Sequence, residues 1–215
     1  MPFTELIFPS LIPTKEVIEE VERDWPIISK SLIEPNPGLL SAFRGWVLSE
    51  DGKDVRDQYR EIVIFEWVEE AAFHAFLTSD QFASFGKSIR HLVNGPTKMQ
   101  LFETNSSPKE SSVAPVVEIF RLELTGSESV QVAQKAWENL SQTLSITGKS
   151  VPVTWGNSLN LDGDVVVGIL GWASTEDHEH GTDEVAFVEA LRSLRSLGEL
   201  SQILVDIDPV EVSSL

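Results

Sequence analysis

The chain has 215 residues, 41% of them hydrophobic and 23% charged, a balance that suits one large or two small water-soluble domains. Its formal charge of −18 argues against nucleic acid and against anionic membrane surfaces as partners, because phosphate-rich surfaces repel such a field. Cysteine is absent, which excludes disulfides, thiolate nucleophiles and cysteine-based metal sites.

The first element is an apolar-rich strand over 3–8, closed by Pro9 and Pro13. Thr14 then opens a helix in which Val17, Ile18 and Val21 recur at helical spacing, with acids early where the helix dipole favours them. Pro35-Asn36-Pro37-Gly38 is a loop by its turn chemistry. A strand is predicted over 39–48, a turn at Glu50-Asp51-Gly52, and the most strongly apolar strand over 59–67. Helices follow over 69–77 and 81–92, where Phe82, Phe85, Ile89 and Leu92 form one stripe. Asn94-Gly95-Pro96 stops the second of these, and a strand over 99–102 completes the first half.

Residues 105–112, rich in Ser, Asn and Lys, read as a linker between a first repeat (1–104) and a second (113–215). The second half repeats the order, with segments 116–124, 128–144, 153–161, 165–172, 184–197 and 202–207. Gly126 and Gly148 bracket its first helix, and Asp162-Gly163-Asp164 is its hairpin turn. Both halves are acidic, with 10 basic and 17 acidic residues up to position 105 and 6 and 17 after it.

Six tryptophans support the repetition. Trp25, Trp46 and Trp67 are followed in order by Trp137, Trp155 and Trp172, at separations of 112, 109 and 105 residues, too long a period for a solenoid and suited to a small domain used twice. The order strand, helix, strand, strand, helix, strand is the ferredoxin-like split unit. In 59–67 both faces are apolar, Val63, Phe65 and Trp67 on one and Ile62 and Ile64 on the other. Each sheet must therefore be covered twice, by helices outside and by the other sheet inside. The expected fold is α+β: two ferredoxin-like βαββαβ repeats packed sheet to sheet as an intrachain pseudo-dimeric α+β barrel. The N-terminus, Met1-Pro2-Phe3-Thr4-Glu5, has neither the positive start nor the long apolar core of a signal peptide, no run is long enough to span a membrane, and a cytoplasmic location is expected.

Ala71-Ala72-Phe73-His74-Ala75-Phe76-Leu77-Thr78-Ser79-Asp80-Gln81-Phe82 resembles, without a gap, the segment after the third strand of antibiotic-biosynthesis-monooxygenase-like domains. That segment typically reads Ala-Ala-Phe-x-Ala-His-x-x-(Ser/Thr)-x-His-Phe. Gly171-Trp172-Ala173-Ser174-Thr175-Glu176-Asp177-His178 resembles a stretch of tandem fungal relatives. The resemblance implies the dimeric α+β-barrel superfamily, whose members include cofactor-free monooxygenases, polyketide cyclases, haem-degrading enzymes, decarboxylases and proteins without known activity. Phe76 and Gln81 stand where that family carries its two histidines.

Among the residues themselves, His74 is a candidate general base near neutral pH, and otherwise a helix histidine paired with Glu70. His178 is a second candidate. Glu176-Asp177-His178-Glu179-His180 is the densest metal-capable stretch, but its partners from other elements are not visible, and no metal is expected. His91 reads as a helix C-terminal histidine. Arg44, Trp46, Tyr59, Trp67 and Trp172 are candidate substrate-binding residues, able to stack and polarise a flat anionic ligand; alternatively the tryptophans fill the core and Arg44 snorkels to its edge. There is no phosphate-binding Gly-rich loop, no Gly-x-Ser-x-Gly elbow and no Cys–His pair.

The resemblance implies a small-molecule enzyme of secondary metabolism without a cofactor, acting on an aromatic or polyketide-like substrate by oxygenation, cyclisation or proton transfer. The alternative is a non-catalytic ligand-binding or stress-response barrel. An open cavity lined by a histidine favours the first, and cavities filled by Trp and Phe exclude both. Fusion of two units permits a monomer, while the outer helices leave room for a homodimer.

Overall fold

Alternation decides the strands. In β1 (Phe3–Phe8) Leu6 points into one apolar cluster and Ile7 into another, as the two-residue period of a strand requires. β4 (Glu61–Trp67) is buried at all seven positions: Ile62 and Ile64 join the first cluster, and Val63, Phe65 and Trp67 the second. The remaining strands are β2 (Leu39–Glu50), the two-residue β3 (Lys53–Asp54), β5 (Lys98–Thr104), β6 (Val116–Leu124), β7 (Val153–Ser158), β8 (Val165–Trp172) and β9 (Gly198–Val210). The computed structural model describes residues 1–125, 129–146 and 151–212. Glu128, Gly126 and Gly148, expected to start and bracket a helix, lie outside the described residues.

Eight strands close on themselves in the order β2-β4-β1-β5-β7-β8-β6-β9, with β9 pairing back to β2 and β3 a short addition outside β2. Every pairing is antiparallel. Closure removes the exposed sheet edges that otherwise invite association. The barrel interior is packed with Leu6, Phe43, Ile62, Ile64, Phe102, Ile119, Val167, Ile169 and Val205 among others. This is the α+β barrel built from two ferredoxin-like halves.

Helices cover the outside in two groups. α1 (Lys15–Ile33), α2 (Glu70–Leu77) and α3 (Asp80–Ser88) lie over the first four strands, and α5 (Val130–Ile146), α6 (Thr175–Thr182) and α7 (Val185–Arg195) over the last four. Thr14 caps α1 and Ser79 caps α3, each side chain accepting from a backbone N–H of the first turn. Within 105–112 the chain forms α4 (Lys109–Ser112), and Ser111 is buried there, within 3.1 Å of Thr154 Oγ1.

The seams between the halves use one device twice. A side chain at Gly45 would overlap the backbone of Asp206 and Ile207, and one at Gly156 the backbone of Glu103 and Thr104. Only glycine lets strands approach so closely. Register then shows where the tryptophan series drifts. Arg44 pairs with Val63 and Trp155 with Gly168, each partner standing four residues before Trp67 and Trp172. Trp155 therefore occupies the place of Arg44, not that of Trp46. The sequence pattern missed this because β2 is twice the length of β7.

Candidate functional site

A cavity of about 350 Å³ opens between the outer face of the first four strands and helices α1 and α3. Its wall is almost wholly apolar: Ile7, Val63, Phe65 and Met99 from the strands, Val21, Ile28 and Leu32 from α1, and Phe82, Phe85 and Ile89 from α3 and its end. Two carboxylic acids stand in this wall, Glu5 and Glu61. Trp25 forms its rim.

Glu5 sits on β1 with its side chain on the same face as Ile7 and is 2% exposed. The indole N–H of Trp67 donates to its Oε2 at 2.8 Å. No hydrogen bond to its Oε1 exists among the described residues. Burial disfavours the charged form and pushes the Glu5 carboxyl up to about 8, the Trp67 bond opposing that rise. An apolar cavity thus contains a carboxyl group that titrates near physiological pH, the range suited to general acid–base work.

Glu61 is the first residue of β4, next to the cavity and 4% exposed. Burial raises its carboxyl above the usual range, while the Arg44 guanidinium, paired with it through Nε, pulls the other way. Arg44 also donates to Glu22 at 2.7 Å. Its guanidinium lies 4.2 Å from the ring centroid of Trp25 and 5.1 Å from that of Trp46. It is not part of the cavity wall, but it holds Glu61 and packs on Trp25, which are.

The second repeat contains the same pair. Phe3 pairs with Trp67 and Val116 with Trp172, so Glu118, two residues beyond Val116, is the counterpart of Glu5. Trp172 donates to Glu118 Oε2 at 3.1 Å. Here the other oxygen is occupied: Gln202 Nε2 donates to Oε1 at 3.1 Å. The space outside the sheet is filled as well. Trp137 of α5 is fully buried, its ring against Gly168, where a Cβ would overlap it. In the first repeat Val63 takes the place of Gly168 and Arg44 that of Trp155. Trp25 accordingly stays outside, stacked on Arg44, and the cavity remains open.

The residues singled out in the sequence are dispersed. Trp67 holds Glu5, and Trp172 plays the same part in the filled half. Trp46 is not part of the cavity wall, its ring centroid 5.1 Å from the Arg44 guanidinium. Tyr59 is exposed at the end of a 3₁₀ turn (Arg56–Gln58) in a left-handed conformation, φ 50°. His74 is exposed on α2, its side chain 59% accessible and 3.4 Å from Glu70, and is not part of the cavity wall. His178 is mostly buried against Trp172, ring centroids 5.4 Å apart and nearly perpendicular. Its Nε2 lies 3.4 Å from Glu118 Oε1 but outside hydrogen-bond geometry. His91 pairs with Glu20 at 2.9 Å. Among the described residues no three His, Asp or Glu side chains converge as a metal site.

The buried acids were overlooked in the sequence. Their signal was present: Phe-Thr-Glu-Leu-Ile-Phe and Val-Val-Glu-Ile-Phe each place one Glu inside an otherwise apolar strand, 113 residues apart. Such an acid must face either water or a built environment.

Over its full length the chain is similar to several solved structures. One is an anthrone oxidase-like protein, with a TM-score of 0.67 at 12% identity over 99% of this chain and 94% of that one. Another is a candidate monooxygenase from Fusobacterium nucleatum, with a TM-score of 0.64 at 8% identity over 100% and 96%. A third is a candidate monooxygenase from Lactobacillus acidophilus, with a TM-score of 0.60 at 10% identity over 100% and 98%. No family model and no curated protein matches the sequence. No helix among the described residues is long and apolar enough to cross a membrane. At such low identities the likeness speaks for architecture alone: the chain has the fold of the dimeric α+β-barrel proteins, with both halves of the barrel in one polypeptide.

Proposed function

We propose that the protein is a cofactor-independent enzyme that removes a proton from an aromatic or polyketide-like substrate held in the cavity of the first repeat, with Glu5 as the acid–base group. One observation carries this reading: a carboxyl group with a free oxygen, titrating near pH 8, stands in an apolar cavity large enough for a fused-ring ligand. Trp67 holds the carboxyl in place through Oε2 and leaves Oε1 for the substrate. The phenylalanines of α3 and the rim ring of Trp25 suit a planar apolar body. Once the acidic C–H bond of an anthrone-like substrate gives its proton to Glu5, the carbanion supplies electrons to oxygen. Substrate and O₂ then become quinone and water without a bound metal or flavin. The names of the similar structures, an anthrone oxidase-like protein and two candidate monooxygenases, lend support to oxygenation over cyclisation.

The test is oxygen uptake and quinone formation with hydroxylated anthrones, wild type against Glu5→Gln. Turnover lost in the variant with binding retained supports the assignment. Because the Glu118–Trp172 pair occurs where Trp137 fills the space outside the sheet, a buried Glu–Trp pair also has a purely structural use. Saturable quenching of Trp25 by the same ligands, without turnover in the wild type, would identify a ligand-binding barrel instead.

A further inference from the structure

A second cavity, of about 310 Å³, lies on the opposite face of the sheet, at one mouth of the barrel. Its floor is the apolar barrel interior, with Leu6, Phe102, Ile119 and Ile203. Three cations line it, Arg60, Lys98 and Arg121, with Glu50 beside them. In a chain with 16 basic and 34 acidic residues, three cations round one cavity run against the general field. Both repeats contribute, Arg60 and Lys98 from the first and Arg121 from β6.

The cations are unequally engaged. Arg60 donates to Glu50 at 2.7 Å. Arg121 is paired with Glu123 and attracted by Glu199, and partial burial holds its pKa below the ordinary value. Lys98 makes no ion pair among the described residues. Deeper on the same strand is a second unsatisfied group. Gln100 is 7% exposed and its side-chain oxygen has no hydrogen-bond partner among the described residues, a costly state for a buried acceptor. Lys98, Gln100 and Phe102 face the barrel interior together. Lys98 and Gln100 are two residues apart, about 7 Å along a strand, the span of one benzene ring with its two para substituents.

We propose that this mouth of the barrel binds a small carboxylate with an apolar ring and a hydroxyl at its far end. The carboxylate meets Lys98, the rim cation without an ion pair among the described residues, the ring lies on the apolar floor, and the hydroxyl donates to Gln100. The site is separated from the Glu5 cavity by the thickness of the sheet and does not depend on the function assigned there. A charge-assisted contact at a half-enclosed rim is stronger than a neutral one and weakens with salt.

The probe is 4-hydroxybenzoate, titrated calorimetrically into the full chain, with benzoate and 4-hydroxybenzyl alcohol as comparisons. Saturable binding at one site is expected, weaker at high salt and at least tenfold weaker for the uncharged alcohol. Lys98→Glu, a change at an exposed position, should weaken it tenfold or more. Gln100→Leu should abolish the preference for 4-hydroxybenzoate over benzoate while leaving the melting temperature equal or higher, since it removes a buried unpartnered group. The proposal is overturned if no probe binds saturably at millimolar concentration. It is equally overturned if Lys98→Glu binds as tightly as wild type, which would place the ligand elsewhere, including the Glu5 cavity.

Discussion

The ring of Trp137 occupies the space that any side chain at position 168 would need, and Gly168 is the residue that yields it. The corresponding place in the first repeat belongs to Val63, and the corresponding ring, Trp25, packs on Arg44 instead. Val63 in place of Gly168, with Arg44 in place of Trp155, goes with an open cavity where the second half is filled. Gly168→Val should therefore force Trp137 out of its site and destabilise the protein by roughly 1–3 kcal/mol. Denaturant unfolding of the variant, followed by tryptophan fluorescence, measures both the loss and the new exposure of Trp137.

Glu5 links stability to pH. Its folded-state pKa, about 8, lies above the ordinary 4.5, so over that interval the folded chain holds a proton that the unfolded chain has released. This contribution is fully present below about pH 4.5 and is lost as pH rises through about 8, at up to about 1.4 kcal/mol per pH unit. Glu5→Gln keeps the shape and removes the titration. Unfolding curves between pH 5 and 8.5 should show a shallower decline in the variant, and identical slopes would mean that Glu5 is not the group responsible.

The proposed catalytic role has its own pH signature. As a base Glu5 must be ionised, so kcat/KM for an anthrone-like substrate should rise with pH and level off above about 8. Glu5→Gln should lower it by roughly 10²–10⁴-fold and leave no such inflection.

Trp67→Phe retains most of the ring and deletes the N–H that holds Glu5. That bond lowers the Glu5 pKa, so its loss should move the inflection to higher pH, and orphaning the acceptor should cost roughly 1–3 kcal/mol. A profile that does not move would show that Trp67 only fills space.

At the seams, Gly45→Ala and Gly156→Ala each push a Cβ into the backbone of the neighbouring strand. Backbone cannot swing aside as a side-chain tip can, so each should destabilise by more than the roughly 0.5 kcal/mol of an ordinary surface change. The thermal unfolding midpoint of each variant is the measurement, with Gly86→Ala serving as a control, since nothing lies near that position and its backbone is ordinary helix.

Much of the architecture was legible because period and punctuation are local. β1, β6 and β8 begin and end where alternation predicted. Tyr59 and Arg60 fall outside their predicted strand because Tyr59 takes a left-handed conformation after a 3₁₀ turn, which an aromatic side chain does not announce. α6 was not foreseen either: its eight residues include one buried position, Gly181, and so carry no apolar stripe. The site was less legible. Histidine draws attention by its pKa in water, and His74 stands in water. Glu5 and Glu61 owe their interest to burial, which belongs to neighbours far along the chain, Trp67 standing 62 residues from Glu5.

By itself the sequence determined the eight barrel strands and the longer helices, the two-sided burial of β4, and hence a barrel with helices outside, because hydrophobic periodicity is written residue by residue. Only the tertiary structure decided which half is open. That outcome rests on Val63 against Gly168, on Arg44 against Trp155, and on whether a buried carboxyl finds one partner or two. Each is a contact between elements far apart in the chain, and its free energy exists only once the barrel has closed.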